Sequence, residues 1–173
     1  MYYLLYKYHR GSMYNGTLND NCIINEFKPH PFHLYADWER TKDVSTSIFR
    51  FYISLITLGK TVHLCILDKN GGAIMHSAYI IPKNFKYAFL KKGEYSIGPC
   101  NTPESYRGQG LYPYMLNYIT RRNTDATYYV FIREDNVASI KGAKKAGFKK
   151  CRERIISTKV LKIFRLMKEK NNE

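Results

Sequence analysis

The 173-residue chain predicts a mixed α/β (α+β) fold, a central mixed sheet flanked by helices. Three observations carry that prediction. Beyond residue 60 the strand and helix signals alternate as β-β-β-α-β-α-β-β, which places helices between strands of one sheet. Hydrophobic residues make up 45% of the chain, enough for a full core without a disulfide or metal. No internal repeat or low-complexity tract interrupts the pattern, so a single domain over 1–173 is expected.

The elements follow in order. Tyr2 to Tyr8 reads as a strand, with aromatics and Leu around Lys7. Residues 11 to 36 carry Gly, Asn and two X-Pro steps and read as loop. Asp37 is placed to cap a short helix through Trp38, Glu39 and Arg40. Ile48 to Leu58 is apolar but does not declare its period, so strand and helix both remain open. Thr61 to Leu67 is a strand, residues 68 to 72 (DKNGG) a turn, and Ala73 to Ile81 the returning strand. Lys83 to Lys92 is a basic and aromatic excursion. Tyr95 to Cys100 is a third strand, and Gly98-Pro99 inside it signals a bulge or an edge left open. A glycine turn at Arg107 to Gly110 leads into a helix from about Tyr112 to Arg122, with Pro113 at its first or second position. Tyr128 to Ile132 is a strand. Val137 to Lys145 is a helix capped by Asn136 and stopped by Gly147. Phe148 to Ile156 and Thr158 to Met167 read as a final strand pair.

The chain carries 28 Lys+Arg against 14 Asp+Glu, a net charge of +14. Such an excess favours anionic partners: phosphorylated cofactors, nucleotides, nucleic acid or acidic membranes. It is uneven, since +9 falls in residues 141–173, where 12 basic side chains meet 3 acidic ones. Four cysteines, Cys22, Cys65, Cys100 and Cys151, are far apart and read as separate thiols in a reducing compartment. The histidines His9, His30, His33, His63 and His76 show no metal-ligand spacing, and no metal is expected. The N-terminal run is too short and wrongly flanked for a secretory signal. Ile48 to Leu58 is too short to span a bilayer. A cytoplasmic protein without a membrane span is the expectation.

The strongest chemical signal is the strand, glycine turn and helix start from Tyr95 to Leu116. Glycines let the backbone approach a bulky anion, and the first amides of a helix point outward unpaired beside the positive end of its dipole. A diphosphate fits such a site. No Gly-Lys-Ser/Thr follows, so this is not a nucleotide-triphosphatase phosphate loop, nor is it G-x-G-x-x-G. On spacing alone, R-G-Q-G reads equally as a tight strand–helix turn.

Arg107-Gly108-Gln109-Gly110, following Pro103-Glu104, resembles the pyrophosphate loop of the GNAT superfamily of acyl-CoA-dependent N-acyltransferases, whose pattern is Gln/Arg-x-x-Gly-x-Gly/Ala. Arg107 and Gly110 match, while Tyr112 stands where the last small residue is usual. Asn136-Val-Ala-Ser-Ile, closing with Gly147-Phe148, resembles a second family segment in order and spacing. The resemblance covers about residues 61 to 168. It implies a sheet splayed open to hold acetyl-CoA as acyl donor. The pantetheine would lie along Ile97, Gly98 and Cys100. Backbone amides of Arg107, Gly108, Gln109, Gly110, Leu111 and Tyr112 would hold the pyrophosphate. Asn136 and Ser139 would face the cofactor from the other side, with Lys141, Lys144 or Lys145 reaching its phosphates. It further implies direct attack of an amine on the thioester, which requires a base and a proton donor for the departing thiolate. Backbone N–H groups near Ile97 to Cys100 would face the oxyanion.

Two departures stand out. The family's sulfur-protonating Tyr, seven residues after the Asn, is replaced by Ala143, leaving Tyr112, Tyr114, Ser139 or water for that role. The loop also has one extra residue between Glu104 and Arg107. Glu94 and His76 are the candidate bases, each of which also reads as an ordinary polar residue. Cys100 reads as a lining thiol, there being no visible His/Asn partner. The lysines of 141–150 read as a cofactor-facing or solvated surface, and nucleic-acid binding is not favoured because paired-aromatic RNA signatures are missing. The expected acceptor is a small amine, anionic given the charge, such as an amino sugar or nucleotide-linked amino sugar, with residues 1–60 walling its side. The alternatives are a protein or peptide N-acyltransferase, or a non-catalytic basic module binding acyl-CoA or nucleic acid. Oligomeric state is left open, a homodimer included.

Overall fold

The computed structural model describes residues 2–8, 10–11, 14–39, 42–160 and 164–170, with backbone alone for Tyr2 and for the residues beyond 151. In chain order the elements are β1 (Tyr2–Tyr8), β2 (Cys22–Phe27), α1 (Val44–Ile56), β3 (Val62–Asp68), β4 (Ile74–Pro82), β5 (Glu94–Asn101), α2 (Leu111–Arg122), β6 (Thr127–Arg133), α3 (Val137–Lys145), β7 (Phe148–Val160) and β8 (Phe164–Lys170). Single 3-10 turns lie at Phe85–Tyr87 and Glu104–Tyr106.

All eight strands join one sheet, ordered β2-β3-β4-β5-β6-β1-β7-β8. Neighbours are antiparallel except β5 and β6, whose parallel pairing needs a crossover, supplied by α2. β1 is inserted between β6 and β7, with Tyr3 opposite Arg133 on one side and Ile155 on the other.

The parallel pair is cut short. Its register runs from Glu94↔Thr127 to Ile97↔Val130 and stops, although β5 continues to Asn101 and β6 to Arg133. Beyond that point β5 stays with β4, through Asn101↔Ser77, and β6 stays with β1. The sheet therefore splays between β5 and β6. Gly98 and Pro99 sit where it opens. Gly98 has φ +134, a value that side-chain-bearing residues rarely adopt, and Pro99 has no N–H to offer a ladder.

The helices α2 and α3 cover one face over a large apolar cluster that includes Leu64, Ile66, Ala78, Ile97, Met115, Leu116, Ile119, Val130 and Phe148. The other face is covered by α1 and the 85–90 segment, over Leu5, Ile53, Tyr79, Ile81, Tyr87 and Leu90. That second face also buries an ion pair. Arg50 donates to both carboxylate oxygens of Glu39 at 2.6 Å, to the Tyr79 hydroxyl at 2.9 Å and to the Leu34 carbonyl at 2.9 Å, and lies 2.9 Å from His63 Nδ1. Burial opposes both charges. The Arg50 bonds nonetheless hold the Glu39 pKa below its ordinary value, and those to Glu39 and Tyr79 raise that of Arg50.

Several expectations are corrected. Residues 22–27, read as loop, form the edge strand β2, whose Cys22-Ile-Ile-Asn-Glu-Phe lacks clean alternation. Asp37 caps no helix: 37–38 is a turn, Glu39 turns inward to Arg50, and Arg40 lies outside the described residues. The helix cap is Asp43, whose Oδ1 accepts from Thr46 N at 2.8 Å. The apolar run from Ile48 resolves as helix α1, its period hidden because both flanks are apolar. Helix α2 starts one residue early, so Pro113 is its third residue. Thr158 to Val160 belong to β7 rather than to the last strand, and 161–163 and His9 lie outside the described residues.

Candidate active site

The splay and the glycine loop meet at the C-terminal end of β5. Gly108 and Gly110 both take left-handed φ, +80 and +76, which turns the backbone sharply into α2. Gly110 caps the helix, and the first intrahelical bond is Tyr114 N–H to Gly110 O at 3.1 Å. The amides of Leu111 and Tyr112 thus have no carbonyl four residues back to bond, and Pro113 has no amide at all. The Leu111 side chain is buried in the core, so only its backbone serves the loop. Arg107, Gly108 and Gln109 are exposed. The Arg107 Nε–H donates to the Thr102 carbonyl at 3.2 Å and braces the turn. Tyr14 adds a second brace, its hydroxyl donating to the Gly110 carbonyl at 3.4 Å with Lys145 Nζ above its ring.

His76, Cys100 and Tyr112 come together on the α2 face. The His76 ring lies 5.9 Å from that of Tyr112, and His76 Nδ1 is 2.7 Å from Thr102 Oγ1. His76 is buried, and its Nε2 has no hydrogen-bond partner. Burial lowers its pKa to about 4, so the ring is neutral at pH 7. Burial pushes the Cys100 thiol up to about 12, which keeps it protonated and removes it as a thiolate nucleophile. Burial, and then the Cys100 sulfur, hold the Tyr112 phenol well above 10, so it carries its proton.

Tyr112 packs closely against α3. Ala143 is fully buried, and a Cβ on the preceding Gly142 would lie 2.6 Å from Tyr112 Cδ1. Gly142 of α3 thus makes room for an aromatic ring delivered from α2.

The other candidates are separated from this cluster. Glu94 and Ser96 alternate with Tyr95 and Ile97, so Glu94 is on the α1 face. There it accepts from the Tyr129 hydroxyl at 3.1 Å and from Lys91 N–H at 2.8 Å. Glu94 and His76 thus occupy opposite faces of the sheet. Asn136 caps α3, its Oδ1 accepting from Ser139 N–H at 3.1 Å. Lys144 is exposed in the last turn of α3, the far end from Asn136. A cleft of about 520 Å³ lies beside α2, lined by Tyr14, Leu18, Tyr114, Asn117, Tyr118 and Arg121 among others; His76, Cys100 and Tyr112 are not in its wall. Among the described residues no group of three or more His, Cys, Asp or Glu is arranged to hold a metal, and no helix is long and apolar enough to cross a membrane. Thr102, Gly142 and Tyr14 escaped the sequence reading. Thr102 alone carried a signal, its place directly after the third strand.

No protein-family profile matches the sequence, and no curated protein sequence matches it. Solved structures do. A GNAT-family acetyltransferase from Colwellia psychrerythraea superposes with TM-score 0.59 at 16% identity, over 87% of this chain and 53% of that one. A tandem GNAT protein from the clavulanic acid biosynthesis pathway gives 0.58 at 14% identity, over 86% of this chain and 50% of that one. A ribosomal-protein-S5-alanine acetyltransferase from Vibrio fischeri gives 0.50 at 13% identity, over 82% of both chains. The likeness is one of fold: the chain has the GNAT fold, and it spans about half the length of the first two structures.

Proposed function

We propose that this chain is an acetyl-CoA-dependent N-acetyltransferase that moves the acetyl group to a primary amine by direct attack. The observation that carries the reading is the end of β5–β6 pairing at Ile97↔Val130, directly before a loop with two left-handed glycines that opens α2. That opening offers an extended ligand a strand edge from Ile97 to Cys100, and the loop amides from Arg107 to Tyr112 offer its diphosphate an anion site. Bound there, acetyl-CoA supplies the thioester; the chain supplies position and proton transfer.

Tyr112 is the assigned proton donor. Its phenol keeps its proton at neutral pH, it borders Cys100 at the splay, and its ring packs where Gly142 leaves room. As the amine nitrogen bonds to the carbonyl carbon and the carbon–sulfur bond breaks, the Tyr112 proton passes to the sulfur. The amine's proton goes to a base. His76 Nε2 can accept it when Nδ1 keeps its own proton for Thr102 Oγ1, though a pKa near 4 makes it a weak base. Glu94, on the α1 face, serves if the acceptor approaches from that side. Asn136 and Ser139 would border the cofactor, with Lys144 at its phosphate end. The net charge of +14 favours an anionic acceptor, of which an amino sugar joined to a nucleotide is one class. A protein or peptide amine is the second acceptor class; one structure of the same fold is named as an acetyltransferase of a ribosomal protein's alanine.

Calorimetric titration with acetyl-CoA tests the cofactor site, and no binding below the high-micromolar range sinks the proposal. A thiol-release assay across amino sugars, their nucleotide derivatives, polyamines and peptides then separates an enzyme from a binding module. Tyr112→Phe should bind acetyl-CoA normally and lose about 10²-fold or more in kcat. Glu94→Gln and His76→Ala should each leave cofactor affinity unchanged; normal rates in both would remove these two bases.

A further inference from the structure

Helix α1 faces the sheet with Arg50 and Ile53, but its outer side is apolar too. Val44, Ile48, Phe51 and Leu55 recur at helical spacing along that side, and exposed Leu58 follows just past the helix end. Val44 is 75% exposed, Ile48 65% and Leu58 82%. Phe85, half-exposed, widens the stripe through its edge contact with Tyr52. The one charged residue of α1 is Arg50, and it is turned inward onto Glu39. Together the six side chains expose on the order of 700 Å² of apolar surface, close to the ~800 Å² per partner of a standard protein–protein interface. Patches of this size and continuity are uncommon on monomers and mark contact surfaces.

We infer that this stripe is the interface of a homodimer, in which α1 of one copy packs antiparallel on α1 of a second. Self-complementarity favours a second copy as occupant. A two-fold axis beside Phe51 sets Val44 against the other copy's Leu58, and Ile48 against its Leu55, so each large side chain meets another apolar one. The same operation brings exposed Asp43, at the start of the helix, to exposed Lys60 just past its end, so opposite charges meet at both rims. The antiparallel dipoles of the two helices also attract. With +14 per chain two copies repel, and the outer side of α1, whose one charged residue is turned inward, adds nothing to that repulsion. The inference does not depend on the proposed activity.

Light scattering after size exclusion, on the full chain, reads the outcome directly. A twofold mass is expected, falling to the monomer mass on dilution. Ile48→Glu combined with Phe51→Glu should give a monomer at every concentration, with unchanged circular dichroism because both side chains already face water. Mixing Val44→Cys with Leu58→Cys under oxidation should yield a covalent dimer that neither variant yields alone, the single-variant controls accounting for the native thiols. A monomer at about 100 µM overturns the inference. So does a dimer that survives the double Glu variant, or one without the Val44–Leu58 cross-link. If the wild type is monomeric and co-sediments with anionic vesicles, while the Glu variant does not, the face belongs to a membrane surface instead.

Discussion

The two faces of the sheet solve the same problem with different chemistry. Under α2 and α3 the interior is an apolar cluster, interrupted near the splay by His76 with its free Nε2. Under α1 the apolar cluster is much smaller, and the space beside it is filled by Arg50, Glu39, His63 and Tyr79 in one bonded group. The first face tolerates an unpartnered polar atom where a substrate is proposed to arrive. The second leaves its charges no solvent to fall back on. Stability on the α1 face should therefore hang on a few residues, and on the α2 face on many.

The largest test of that contrast is Glu39→Ala. It strands a guanidinium that is 2% exposed, and should cost about 3–5 kcal/mol in urea unfolding, because an uncompensated buried charge is far worse than a missing pair. Glu39→Gln with Arg50→Met should recover most of that loss; if the single and double variants are equally unstable, the pair is not the keystone of this face.

Acid comes next, and it reaches both faces. His63 is held to about 4 by burial and then by Arg50, and His76 to about 4 by burial alone. Both folded values lie below the unfolded value near 6.5, so the unfolded chain binds more protons between them. Stability is then fully present above pH 6.5 and falls as the pH drops towards 4, by on the order of 3 kcal/mol per histidine. His76→Phe should flatten roughly half of that slope, and a pH-stability curve unchanged by it would show that His76 is not buried neutral.

Smaller effects refine the α2 face. Gly142→Ala drives a methyl into the Tyr112 ring and should cost about 1–3 kcal/mol as overpacking, with weakened acetyl-CoA binding measured beside it. Asn136→Ala removes the α3 cap for about 1 kcal/mol in thermal unfolding. A cofactor affinity that drops much more than stability in this variant would place Asn136 against the ligand as well.

The same contrast governs what could be read in advance. On the α2 face the signals are local: the β3–β4 turn, the glycines before α2, and Asn136 and Gly147 bracketing α3 all act within a few residues of themselves. The α1 face is assembled from Glu39, Arg50, His63 and Tyr79, four residues on four segments, each ordinary alone. Asp37 precedes a plausible helix start, yet Glu39 two residues on is bonded to Arg50, and the helix begins after Asp43. The run after Val44 hid its period because one apolar side packs on the sheet while the other faces outward. Within the candidate site, the glycine turn that opens α2 was legible. That Gly142 clears space for Tyr112 depends on how α3 packs against α2, and that Glu94 and His76 lie on opposite faces depends on which side of its strand each residue takes around the bulge near Ala78.

The insertion of β1 has a consequence for how the molecule could be cut. Among the described strands, β1 alone joins the five-stranded portion β2–β6 to the β7–β8 ribbon. Both of its partners lie more than 120 residues away in sequence. Removing residues 2–8 would leave a strand-wide slot with two unsatisfied edges, β6 and β7, rather than a frayed end. The heptapeptide Tyr-Tyr-Leu-Leu-Tyr-Lys-Tyr is the piece cut to fill it, so a chain lacking β1 becomes a receptor for its own strand supplied in trans.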